Sequence, residues 1–431
     1  MKTFERLESN VRSYCRQFPR VFVTARGSRL VDEDGREYID FFAGAGALNY
    51  GHNDPRLKRP LLDYLEGDGI THGLDMATRA KREFLLAFEE VVLRPRRLEY
   101  RLQFPGPGGA NAVEAALKLA RKATGRQGVV AFTNGFHGMS LGALAVTGNR
   151  RARAGAGIPL TGAAVMPFDG FLGPDVDTMD VLERYVASGH SGLDLPAAFL
   201  IETVQGEGGV NVAHSRWLRR LARLAHECGA LLIVDDIQVG CGRCGTFFSF
   251  EESGIEPDIV CLSKAISGFG LPMALALVRP EIDCWEPGEH NGTFRGLNLA
   301  FITATAALDY WRSSELTDDV RLKGAVVVDR LLEIERTRPE LSAAVRGRGL
   351  IQGLEIGVPG MALEVAREAF SAGLLIETSG PEDRVLKVLP PLTISLQDLR
   401  DGLDLLESAI DAVLTARGVS GPVVAVSAGV A

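Results

Sequence analysis

Leu231-Leu232-Ile233-Val234-Asp235-Asp236-Ile237-Gln238 is an apolar run that ends in two carboxylates. Four successive apolar residues suit a strand buried on both faces, in a sheet covered by helices on each side. Just before it, Trp217 to Cys228 places Leu218, Leu221, Ala222 and Ala225 on one helical face, with Gly229 at the usual stop position. Ala197 to Ile201 is a second apolar run upstream of that helix, so strand, helix and strand form a βαβ unit. Val129 to Phe132, Ile259 to Leu262 and Ala274 to Val278 read as further buried strands. The expectation is an α/β fold: a mostly parallel central sheet with helices on both faces.

Both ends of the chain differ from this middle. Val21-Phe22-Val23, Arg29-Leu30-Val31 and Glu37-Tyr38-Ile39 are short apolar stretches joined by turns at Arg26-Gly27 and Asp34-Gly35, which predicts a small antiparallel meander. Beyond about residue 315 the pattern turns helical, over Asp319 to Arg336, Met361 to Ala372 and Leu396 to Arg417. This predicts a smaller α+β domain built from both ends: residues 1–55 and 315–431 flank a large α/β domain at 56–314. Residues 421–431 are small, apolar and uncharged, and are expected to fray.

Composition narrows the partners. With 431 residues, 46% hydrophobic and 24% charged, the chain has the makeup of an ordinary globular protein with a large core. A net charge of -8 with no concentrated basic stripe argues against nucleic acid and for a small substrate. Six cysteines are sparse, as in a reduced cytoplasmic protein. The opening MKTFERLESN lacks the apolar segment of a signal peptide, and no stretch approaches the roughly 20 apolar residues that span a bilayer. Cys241 and Cys244 form a CxxC without the second ligand pair a zinc ribbon needs, so no metal is expected.

Three local patterns carry chemistry. Gly106-Pro107-Gly108-Gly109-Ala110-Asn111 leads into a helical pattern over Ala112 to Lys122, and free N–H groups at a helix start seat a phosphate. Asp235 ends its strand where open α/β sheets bind ligands. A carboxylate there can keep a heteroaromatic nitrogen protonated, or equally cap the next turn. Ile259-Val260-Cys261-Leu262-Ser263-Lys264 ends a strand in a lysine, which burial beside an electropositive ligand turns into a nucleophile. A lone lysine is ordinarily a solvated surface group; its company with Asp235 and the glycine turn is what gives it meaning.

In this order the motifs resemble those of the fold-type I pyridoxal 5'-phosphate (PLP) enzymes, and within them the class III (ω-amino acid) aminotransferases, from about residue 20 to 410. Gly108-Gly109-Ala110-Asn111-Ala112 is similar to the family's phosphate loop, and Phe136-His137-Gly138 to its aromatic-His-Gly segment. Glu202-Thr203-Val204-Gln205-Gly206-Glu207-Gly208-Gly209 resembles E-P-x-Q-G-E-G-G, and Asp235-Asp236-Ile237-Gln238 resembles D-E-x-Q. The resemblance implies that Lys264 holds PLP covalently and acts as general base, and that Asp235 keeps the ring nitrogen charged. It implies that Phe136 stacks on the ring beside His137, that Gln238 bonds the ring's phenolic oxygen, and that Gly109 and Ala110 hold the phosphate. Gly292-Thr293-Phe294 looks like the segment that lends a threonine hydroxyl to the neighbouring subunit's phosphate, implying a homodimer or a dimer of dimers.

A narrower likeness, over Val11 to Arg16, Phe41 to His52, Thr71 to Thr78 and Gln103 to Glu114, is to the members that make L-2,4-diaminobutyrate. It implies transfer of the amino group of L-glutamate to L-aspartate 4-semialdehyde, with Glu202, Glu207 and Lys387 at the substrate. Here the chain departs from its relatives: Lys387 stands where many have arginine, and lysine cannot form the same two-armed clamp on a carboxylate. A Lys387–Glu207 pair is the expectation. Thr203 replaces the usual proline and Asp236 the usual glutamate. His52 can simply satisfy backbone groups, and Arg12, Arg16 and Arg20 can form a solvated face. The alternatives are another ω-aminotransferase, acting on ornithine, acetylornithine or 4-aminobutyrate, and a non-catalytic phosphate-ligand-binding α/β protein.

Overall fold

The computed structural model describes residues 1–418, and the tail expected to fray lies outside the described residues. Seven strands form the central sheet in the order Arg101–Gln103, Leu275–Val278, Ile259–Leu262, Leu231–Asp235, Ala198–Ile201, Val129–Phe132 and Ala163–Met166. Its pairs are parallel except those made by Leu275–Val278, which runs against both neighbours. The fold is α/β with a large central sheet, as expected.

The apolar strands are wholly buried because helices cover both faces. Phe132, Phe199, Leu232 and Val260 pack into one core with Trp217, Leu218 and Leu221 of the helix Ser215–Cys228. Val129, Ala198, Ile233 and Ile259 point the other way, onto Val113, Leu117 and Ala120 of the helix Gly109–Thr124. Alternate residues of each strand therefore serve opposite layers. Sequence reading missed the edge strands Arg101–Gln103 and Ala163–Met166, which are short and only part-buried, so neither gives a clear apolar run.

The expected meander is present as Phe22–Arg26, Arg29–Asp32 and Glu37–Asp40, joined in parallel by Leu374–Leu375. A second four-stranded sheet, Ala343–Arg348, Ile351–Ile356, Val385–Val388 and Glu377–Ser379, was not foreseen. Helices Glu315–Thr337, Met361–Ala372 and Leu396–Ala416 pack with these strands, and Ile39, Phe41 and Tyr50 share the core with Leu354, Leu386 and Leu403.

Candidate active site

Asp235 is the last residue of its strand, 4% exposed, and its two oxygens have different partners. Oδ1 accepts the Ile237 N–H at 3.2 Å, the capping role open to it from sequence. Oδ2 lies 2.8 Å from His137 Nδ1. Burial works against a charged His137, but the hydrogen bond and charge of Asp235 outweigh it and raise its pKa above the ordinary value.

Lys264 follows Ser263, directly beyond the neighbouring strand Ile259–Leu262, and adopts φ +51. A left-handed backbone on a long side chain is uncommon, and such strain collects at functional sites. Burial lowers the Lys264 pKa, with Glu207, Glu377 and Asp235 opposing, so its amine gives up a proton more readily than an exposed lysine.

Lys264 and Asp235 line one cavity of ≈ 170 Å³ together with Gly109, Ala110, Phe136, His137, Glu202, Glu207 and Gln238. Nine of the ten residues expected at the cofactor or the reacting carbon, Lys387 aside, are brought together here; the exception is Thr293. It borders a separate cavity with His72 and Phe294, and its carbonyl lies 3.0 Å from His72 Nε2.

Gly109 opens its 16-residue helix at this cavity, so the unpaired N–H groups of the first turn face it. A methyl group at Gly109 would stand 3.1 Å from Ile237 Cδ1. Gly138 closes the cradle: its φ is +130, and a Cβ would fall 2.6 Å from that of Ala110. Glu202 accepts the Phe136 N–H at 2.9 Å, and burial pushes its pKa up to about 8.

Glu207 and Lys387 meet as expected, with Nζ 2.7 Å from Oε1. Burial pushes Glu207 up, but Lys387 and Lys264 outweigh it and hold the carboxyl at about 2. Gln238 Nε2 donates to the same Glu207 oxygen at 2.9 Å and to the Ala45 carbonyl at 3.0 Å. Its Oε1 is buried with no hydrogen-bond partner among the described residues. Gln238 thus offers the cavity an acceptor in this arrangement, and must release one bond to donate to a phenolic oxygen.

Glu377 escaped sequence reading, and Tyr14 entered it only within the stretch Val11 to Arg16, without a role at the site. Glu377 lies 2.9 Å from Lys387 Nζ; its signal was a carboxylate in the otherwise apolar stretch Leu374-Leu375-Ile376. Tyr14, whose ring packs 5.0 Å from that of Phe42, has its hydroxyl pushed up to about 12 by burial and by Glu377 and Glu207. Other candidates stay apart: His52 binds Asp40 at 3.0 Å, and Arg12, Arg16 and Arg20 bind Phe4, Asn10 and Asp34. Cys241 and Cys244 are free and buried, and burial raises both thiols. Asp236, buried behind Asp235, accepts the Ser249 N–H at 3.1 Å, and burial pushes it up to about 7.

An anion seat, a buried carboxylate, an orphan amide oxygen and a lysine of lowered pKa fit a phosphorylated pyridine aldehyde: the helix start would take the phosphate, Asp235 a ring nitrogen and Lys264 the aldehyde. Comparison with known proteins agrees. Residues 12–410 match the family described as Aminotransferase class-III. The chain is 56% identical to a diaminobutyrate--2-oxoglutarate transaminase of Halalkalibacterium halodurans over 96% of its length and 97% of the relative's. It is 59% identical to one of Streptomyces anulatus, covering 94% and 96%. Among solved structures, an ornithine aminotransferase of Toxoplasma gondii with partial occupancy of PLP at its active site superimposes with a TM-score of 0.83 at 26% identity, covering 97% of this chain and 94% of that one. The chain belongs to the class-III aminotransferases, and its cofactor is PLP.

Proposed function

We propose that this enzyme transfers the amino group of L-glutamate to L-aspartate 4-semialdehyde, releasing 2-oxoglutarate and L-2,4-diaminobutyrate. The observation that carries the reading is the 56% and 59% identity, over nearly the whole chain, to relatives named for that activity. Incubating the enzyme with both substrates and identifying the amine product by mass tests it. Faster turnover of ornithine, acetylornithine or 4-aminobutyrate in the same panel would replace it.

PLP supplies an electron sink that makes the proton on the amine-bearing carbon acidic. In this reading Lys264 would hold the cofactor covalently, and its free amine would take that proton. Asp235, steadied by His137 and the Ile237 N–H, would keep the ring nitrogen charged. Gly109 and Ala110 would grip the phosphate, and Phe136 would pack against the ring. Glu207 leaves Lys387 when glutamate brings a carboxylate to the reacting carbon, and returns for the semialdehyde, which has none there.

Thr293 serves a partner subunit's phosphate in this proposal, which its separation from the Lys264 cavity supports. Phe294 and Leu74 border the same cavity, are exposed, and offer an apolar face for a second copy. The division at 56 and 315 is likewise proposed, supported by a core that joins residues from both ends. Among the described residues no helix is long and apolar enough to cross a membrane; the free cysteines support a cytoplasmic location.

A further inference from the structure

Lys387 lies on the strand Val385–Val388, and its register partner on the antiparallel strand Glu377–Ser379 is Glu377. Directly opposed residues hold their Cβ atoms about 5 Å apart, so the sheet itself fixes Glu377 beside Lys387. The Glu377 side chain is 3% exposed and that of Lys387 0%. Glu207 reaches the same ammonium from the chain beyond the short strand Val204–Gln205, with 28% of its side chain exposed. One buried cation thus has two anions, one pinned by strand register and one that faces the cavity.

A buried ammonium stripped of its anion is strongly destabilised. Arginine can keep separate partners on the two arms of its fork, whereas lysine presents a single compact charge. We propose that Glu377 is a positioning residue, the permanent counter-ion of Lys387, and that it frees Glu207 to yield its place to the carboxylate of glutamate. With Glu377 present, that exchange never leaves Lys387 unpaired; without it, the exchange passes through a bare buried cation. Reaction at the ω-amine of diaminobutyrate requires no exchange, because the reacting carbon bears no carboxylate. This inference rests on the glutamate-dependent reaction proposed above. Burial raises the Glu377 pKa while Lys387 opposes, so the pair strengthens as pH rises.

The test mixes the PLP-loaded enzyme, Glu377→Gln and Glu377→Asp separately with L-glutamate and with L-2,4-diaminobutyrate, following each half-reaction by the cofactor's absorbance. Glu377→Gln is expected to slow the glutamate half-reaction by about tenfold or more and the diaminobutyrate one by less than about twofold, with Glu377→Asp between. Equal slowing of both, or of neither, overturns the inference. A wild-type enzyme inert toward glutamate refutes the proposed function instead. Thermal unfolding adds an arm independent of turnover and covers a Glu377→Gln chain that fails to fold. Glu207→Gln leaves Lys387 its strand-fixed anion, so its midpoint is expected within about 4 °C of wild type, with a larger drop for Glu377→Gln. The reverse ranking overturns the inference.

Discussion

His137 Nδ1 and Asp235 Oδ2 are 2.8 Å apart, both side chains almost wholly buried, although 98 positions separate them in the chain. Asp235 spends its other oxygen on the Ile237 N–H, so its plane is set from two directions. Asp235→Asn keeps the size and one acceptor but removes the charge. Turnover is expected to fall by about 10²-fold or more with the fold intact. Wild-type kcat in a variant with native circular dichroism would separate Asp235 from the cofactor.

Lys264→Ala removes both the covalent anchor and the base. The variant is expected to bind PLP without a borohydride-reducible bond and to lose at least about 10³-fold in turnover. Mass spectrometry after borohydride treatment checks the first point, and single-turnover kinetics the second.

Lys387 neutralises two carboxylates at once. Lys387→Met leaves Glu207 and Glu377 facing each other in a buried site, at a cost of about 3–5 kcal/mol of stability. The same variant is expected to weaken the glutamate half-reaction more than the diaminobutyrate one. Denaturant unfolding and an unchanged glutamate rate are the respective checks.

Glu202 and Asp236 are pushed up by burial to about 8 and about 7, above the ordinary carboxyl range. Between that range and those values the folded chain binds more protons than the unfolded one, so stability falls as pH rises. Glu202→Gln removes one of these protons from the balance. Its unfolding midpoint is expected to decline less than that of wild type between pH 5 and 8, in buffers spanning about three units; an identical slope would exclude Glu202 as a source.

The buried strands Val129–Phe132, Ala198–Ile201, Leu231–Asp235, Ile259–Leu262 and Leu275–Val278, the helices after the glycine turn and before Gly229, and the placing of Asp235 and Lys264 at strand ends all follow from neighbouring residues. Apolar runs and helical periodicity are local properties, and a polar residue that ends such a run has little choice of position. Arg101–Gln103, Ala163–Met166 and the Ala343–Val388 sheet carried too little pattern to be seen. The pairings that give the cavity its charge arise differently. His137 meets Asp235 only because separate strands deliver them to one edge, Glu377 meets Lys387 only through the register of two strands, and Thr293 is kept from Lys264 by the path of its loop. Sequence determined which groups are present and at which ends; tertiary structure decided which of them touch, because burial and ion pairing depend on distance through space.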